Sequence, residues 1–273
     1  MDISEIIKKG FNYPTNNWQN VVILGIIFLL ISFFNGLGMF VHNSALSFVG
    51  SIISLILLIF VAGLSIDVIK EGINQGSNIP LLRADNFVGG LKAIVVNIVY
   101  YIIPAIIVLI VAFITGIPQK LTQIISSINI QAIQSGNVTQ ELINQTVGAI
   151  APSVSGLLSS LAITLIVAFI LFVIFSILCA VGFGRLAETG SLGEAISLGN
   201  VFRKTGEIGW LKIFGFFIIT VIIYAIFRFI SIILLFIPVI GIFLSLIVFS
   251  LFLVPFFFLF SAYAVGLLYN TEI

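Results

Sequence analysis

Residues 212–238 read KIFGFFIITVIIYAIFRFISIILLFIP, an apolar run interrupted after its first residue by one charge, Arg228. A helix needs about 20 mostly apolar residues to cross a bilayer, and this run supplies them. An arginine near the middle of a span costs about 2.5–3.5 kcal/mol, whereas each Leu, Ile, Val or Phe returns about 0.3–0.6. The isoleucines and phenylalanines outweigh the arginine, and the segment is expected to insert.

The rest of the chain obeys the same reading. Of 273 residues, 60% are hydrophobic and 8% charged, against roughly 25% charged in a soluble domain. No aqueous fold of this length could hide so much apolar surface. Six runs are long and apolar enough to span: 21–41, 45–66, 93–114, 157–181, 211–235 and 242–266. They are continuous rather than alternating, which excludes a barrel. The expectation is an all-α, polytopic transmembrane bundle, one integral membrane domain over 1–273. The first run is longer than a signal-peptide core and lacks an Ala-x-Ala site, so it is expected to stay as a helix.

Basic residues set the expected orientation. With an inside N-terminus, the inner segments hold Lys8, Lys9, Lys70, Arg83, Lys92, Arg185, Arg203, Lys204 and Lys212, and the outer ones only Lys120. That asymmetry points to both termini in the cytoplasm and to a multi-pass protein of the cell membrane. Arg228 then lies ~24 Å along its helix from Lys212, most of the way across a ~30 Å core. Two readings follow. Arg228 is an outer-interface anchor whose side chain snorkels, or it faces the bundle interior as an anion or headgroup contact, with Tyr224 and Ser231 on its face.

The spans pair into three hairpins. The first pair is joined near His42 and Asn43, the last at FIPVIG, where Pro238 and Gly241 suit a tight turn. The middle pair is separated by an outer polar loop, 116–156, in which Leu121, Ile124, Ile125 and Ile128 recur at helical spacing. Asn137 and Asn144 stand there in Asn-x-Thr sequons, open to glycosylation. Amphipathic elements introduce the hairpins on the inner side: Ile3, Ile6, Ile7 and Phe11; Leu64, Val68, Ile69 and Ile73; and Leu192, Ala195, Ile196 and Phe202, with Ser191 and Glu194 at capping-box spacing. They are headgroup-plane helices or span ends running on into water. Within the spans, Pro104 and Pro255 are kink sites, and Ser176, Ala180 and Gly184 form a small-residue ridge. An echo links FVGGLK (87–92) with EIGWLK (207–212).

Chemistry-bearing patterns are sparse. One cysteine, Cys179, and one histidine, His42, exclude a disulfide and His- or Cys-rich metal sites. There is no HExxH, GxSxG, GxGxxG or Walker pattern, so neither an enzyme nor a cofactor is expected. A net charge of +1 argues against nucleic acid. Asp67, near the inner end of the second span, is a candidate for a proton or cation path, or else part of a solvated cluster with Lys70, Glu71, Arg83 and Asp85. Asn97 is the most polar side chain well inside an apolar run.

Three stretches, FNYPTNNWQNVVILG (11–25), DVIKEGINQGSNIPLLRADNFVGGLK (67–92) and SLGEAISLGNVFRKTGEIGWLK (191–212), resemble a largely archaeal family of multi-pass membrane proteins, domain of unknown function 4013. The resemblance implies an integral membrane protein without an assigned active site. Two functions remain open: a non-enzymatic organising or anchoring protein, or a transporter or permease-like subunit for a small or lipidic solute. The expected surroundings are the lipid bilayer and a membrane-protein partner or a second copy.

Overall fold

The structure, a computed structural model, describes residues 1–41, 43–128 and 139–271; His42 and Asn137 lie outside them. The described residues form helices and no strand: α1 (Ile3–Asn12), α2 (Trp18–Val41), α3 (Ser44–Ile73), α4 (Asn86–Ile114), α5 (Ile117–Ser126), α6 (Gln140–Thr189), α7 (Leu192–Ile196), α8 (Leu198–Ile208), α9 (Trp210–Leu235), α10 (Gly241–Val248) and α11 (Val254–Tyr269). A π-helical turn, Phe249–Leu253, joins the last two into one span. Among the described residues six helices are long and apolar enough to cross a membrane. They carry the six expected runs.

In the polar segment 116–156 the helical spacing of Leu121, Ile124 and Ile125 falls on a helix, and a second helix lies beyond it. The segment holds α5 and the first part of α6, which runs unbroken for 50 residues through Pro152. That is ~75 Å of helix, far beyond a ~30 Å core. Hydropathy reports contact with lipid, not helicity. Gln, Glu and Leu form helices without registering as a span.

Two compact units divide the chain, residues 1–99 with 177–273, and residues 100–176. In the first, α3 crosses α11 at paired glycines. A methyl on Gly266 would stand 2.1 Å from the Ile69 carbonyl, and one on Gly72 would stand 2.3 Å from that of Tyr263. Gly63 and Gly90 admit the Asn86 and Ile59 carbonyls in the same way, where α3 meets α4. In lipid no hydrophobic force draws helices together, so such close approaches supply the cohesion. Pro255 has no N–H for the Leu251 carbonyl, and that carbonyl rests where a Cβ of Gly25 would project. The backbone beside Pro255 is covered by α2 at Gly25.

The amphipathic elements resolve into two kinds. The 64–73 segment is the end of α3 itself. α1 is separate and packs on α11: Gly10 meets Ala264 and Phe260, and Phe11 contacts the rings of Phe227, Phe256 and Phe260. α8 buries Val201, Thr205 and Ile208. The echoed sequences are not echoed in structure, since Gly89 lies inside α4 while the aligned Gly209 breaks the chain before α9 at φ 99°. At FIPVIG the left-handed backbone falls on Val239 (φ 69°) and not on Gly241, whose missing side chain leaves room for the Leu234 carbonyl.

The second unit is knit by hydroxyls. Lys120 Nζ donates to the Thr115 carbonyl at 2.8 Å and to Ser160 Oγ, and Ser160 donates to the same carbonyl. A cation thereby caps the C-terminal end of α4. Tyr101 Oη lies 3.1 Å from Ser176 Oγ.

Candidate functional site

The polar chemistry of the first unit gathers where α1, the start of α2 and the α3–α4 connection meet. α3 ends in a Schellman turn: Gly76 N–H donates to the Glu71 carbonyl and Gln75 N–H to that of Gly72. Gln75 takes the left-handed conformation there, at φ 52°, where glycine is usual. The chain then runs over the end of the bundle and is held down by two tyrosines. Tyr13, 1% exposed, donates to the Asn78 carbonyl at 2.6 Å; Tyr263 donates to that of Gly76 at 2.8 Å. Their rings stack at 3.9 Å and 9°. Burial, with the Glu71 carboxylate second, pushes the Tyr13 phenol well above its ordinary value, so it stays a donor.

Between this strap and the 3₁₀ turn Pro14–Asn16 lies a cleft of about 820 Å³, lined by Asn16, Asn17, Asn20, Glu71, Ser77 and Arg83 with Ile79–Leu81 beneath. A second hollow of about 230 Å³ shares Asn16 and Ser77 and adds Lys9, Gln75 and Tyr263. Asn20 braces the wall, donating to the Ile79 carbonyl at 2.9 Å. The side chains of Asn16, Glu71, Ser77 and Asn78 have no hydrogen-bond partner among the described residues. Carboxamides both donate and accept, so the cleft offers mixed hydrogen bonding with a carboxylate and a guanidinium at its edge.

Asp67 lies beside this cleft. Its Oδ2 accepts from Asn86 Nδ2 at 2.8 Å and stands 3.6 Å from Arg83, whose own N–H donates to Asn86 Oδ1 at 2.6 Å. The four groups clasp the α3–α4 connection to the crossing at Gly63. Asn86, 3% exposed, is the centre of the clasp. The sequence reading omitted it, although an asparagine opening a helix is a signal in itself. Lys70 and Asp85, placed with Asp67 in the sequence, take no part in these bonds.

Arg228 lies at the far end of the same unit. It is exposed, with its guanidinium 4.7 Å from the centroid of the Phe249 ring. Neither neighbour expected on its face joins it. Ser231 is turned to Ser245 (2.8 Å between hydroxyls), and the Tyr224 ring lies against Phe257. Asn97 faces Cys179, whose Sγ is 3.6 Å from Asn97 Oδ1. No cluster of three or more His, Cys, Asp or Glu suited to a metal occurs among the described residues.

A family model described as "Protein of unknown function (DUF4013)" matches residues 46–236, more than half of the chain. The chain belongs to the DUF4013 family. The match runs from α3 to the end of α9. The strap and clasp residues 67–86 fall inside it, whereas Tyr13, the asparagines at 16, 17 and 20, and all of α10 and α11 fall outside. No curated protein and no solved structure matches the chain.

Proposed function

We propose that this protein is a non-enzymatic membrane anchor of the cytoplasmic membrane. In this reading the asparagine-lined cleft opens to the cytoplasm and holds a segment of a partner protein. The carrying observation is where the uncommitted polar groups lie. Several polar side chains inside the spans close on the protein's own groups: Ser54 on the Ile31 carbonyl, Ser231 on Ser245, Thr220 on the Phe216 carbonyl. A solute path needs such groups turned to a cavity near the membrane midplane. The free carboxamides and hydroxyls stand instead at one end of the bundle, beside Lys9, Glu71 and Arg83. Mixed donors and acceptors suit an extended peptide backbone, which presents both in alternation.

The test is single-cysteine labelling in a Cys179→Ala background with a water-soluble, membrane-impermeant maleimide. Asn17→Cys is expected to react only from the cytoplasmic side and Asn144→Cys only from outside, while Ser54→Cys and Ser231→Cys stay unlabelled. A photo-crosslinking residue at Asn17 is expected to give a discrete protein adduct in native membranes, lost with Asn16→Ala/Asn78→Ala. Ready labelling of both span positions would overturn the anchor in favour of a transporter. Labelling of Asn17→Cys from outside would overturn the orientation.

A further inference from the structure

The end of the first unit away from both chain termini is the α9–α10 turn. Residues 236–243 read FIPVIGIF, with no polar side chain. Phe236 is 80% and Val239 93% exposed, and Ile242 and Phe243 are exposed beside them. An apolar tip of this kind is not stable in water. α9 has 26 residues, ~39 Å of helix, against a ~30 Å hydrocarbon core. Membrane helices tilt by about 20° on average and by up to about 40°, and a tilt at the upper end of that range draws the tip back into lipid.

The same tilt fixes the level of Arg228. It precedes the end of α9 at Leu235 by ~10 Å, so snorkelling together with local thinning of the bilayer brings its guanidinium to the phosphates of that leaflet. Arginine is costly there unless its donors are used. Among the described residues the Arg228 guanidinium stands over the Phe249 ring, 4.7 Å from the centroid. No carboxylate lies within 4 Å of it, and none of its N–H groups has a hydrogen-bond partner among the described residues. The ring holds the flat guanidinium by cation–π attraction and leaves five N–H donors in the fork that suits a phosphate.

We propose that Arg228 and Phe249 form a phosphate-binding site for a phospholipid of the leaflet opposite the chain termini, with the 236–243 tip lodged among its acyl chains. The site is independent of the cleft. It makes the last hairpin a lipid-reading element and gives Phe249 a role: a ring at this position fixes the cation that a bare snorkelling arginine would leave free to wander.

The test uses the full chain purified in a neutral detergent and three additives: a short-chain phosphatidylglycerol, the matching diacylglycerol without phosphate, and inorganic phosphate. The phosphatidylglycerol alone is expected to bind and to raise the melting temperature. Arg228→Gln is expected to weaken it at least about tenfold, since charge-assisted hydrogen bonds are lost. Arg228→Lys should recover little of that, because a lysine neither stacks nor chelates alike. Phe249→Leu, which keeps the cation, should weaken binding about two- to fivefold. Unchanged affinity in Arg228→Gln, an equal effect of the diacylglycerol, or an equal effect of inorganic phosphate would each overturn the site. Should Arg228→Gln fail to fold, Phe249→Leu decides: undiminished binding there overturns it.

Discussion

Gly266→Ala tests whether bare glycine backbones hold this bundle together. The added methyl would lie 2.1 Å from the Ile69 carbonyl and 2.9 Å from the Gly72 Cα. Ordinary carbon–oxygen contacts are about 3.3–3.6 Å, so α3 and α11 must separate by more than an ångström. Both contacts are main chain, which no rotamer change relieves. Overpacking of this kind costs about 1–3 kcal/mol or more. Alanine's better helix propensity offsets about 1 kcal/mol at most. A main-chain overlap this severe belongs at the upper end of that range, so the net expectation is a loss of about 2 kcal/mol. Gly206 provides the opposite sign: it lies inside α8, and nothing stands within 4 Å of an added methyl. Gly206→Ala is expected to gain about 0.5–1 kcal/mol from propensity alone. Thermal melts of the two variants in one detergent, with single-cysteine accessibility near the crossing, give the comparison. A Gly266→Ala protein as stable as the parent would refute the close crossing of α3 and α11.

Three further expectations concern the strap and clasp. Asp67→Ala strands the buried Asn86 amide and should destabilise by about 1–3 kcal/mol, whereas Asp67→Asn keeps an acceptor and should cost much less in the same melts. Gln75→Gly, at a left-handed position with the Schellman bonds kept, should stabilise by about 1 kcal/mol. Tyr13→Phe loses the bond to Asn78 and should cost about 1 kcal/mol at neutral pH. Because the folded phenol's pKa is raised, its contribution is full below the ordinary tyrosine value of 10.0 and is lost as pH rises above it. The gap between wild type and Tyr13→Phe should therefore close in alkaline melts; a constant gap would show that Tyr13 titrates as an ordinary exposed phenol.

The six spans were legible because lipid exposure writes itself into composition, whichever neighbours a helix has. The contacts between spans were not. Gly72 and Gly266 are far apart in sequence, and nothing local marks either as the partner of the other. The alignment of Gly89 with Gly209 was misleading for the same reason, since one glycine lies inside a helix and the other supplies a positive φ. Asp67 was found from its charge at a span's end, but its role depends on Asn86, a neutral residue that drew no notice. Around Arg228 the three- and four-residue rule named Tyr224 and Ser231. The residue actually touched, Phe249, sits on another helix, beyond the reach of any local spacing.

These misses have a common physical origin. In water, a residue's burial is foretold by its polarity; in lipid, apolar side chains gain nothing by turning inward, so the interior is chosen by fit. Fit is a relation between two backbones and leaves its trace in what is missing, as with the methyl absent at Gly72, Gly266, Gly63 and Gly90. Polar groups inside the spans face the opposite constraint, since an unmet hydrogen bond costs several kcal/mol in hydrocarbon. Ser54, Thr220, Ser231 and Ser245 are accordingly closed on the protein itself. Groups still able to bind something else are then expected mainly at the two ends of the first unit. They are found there: carboxamides at the end that carries both termini, and one ring-held guanidinium at the other.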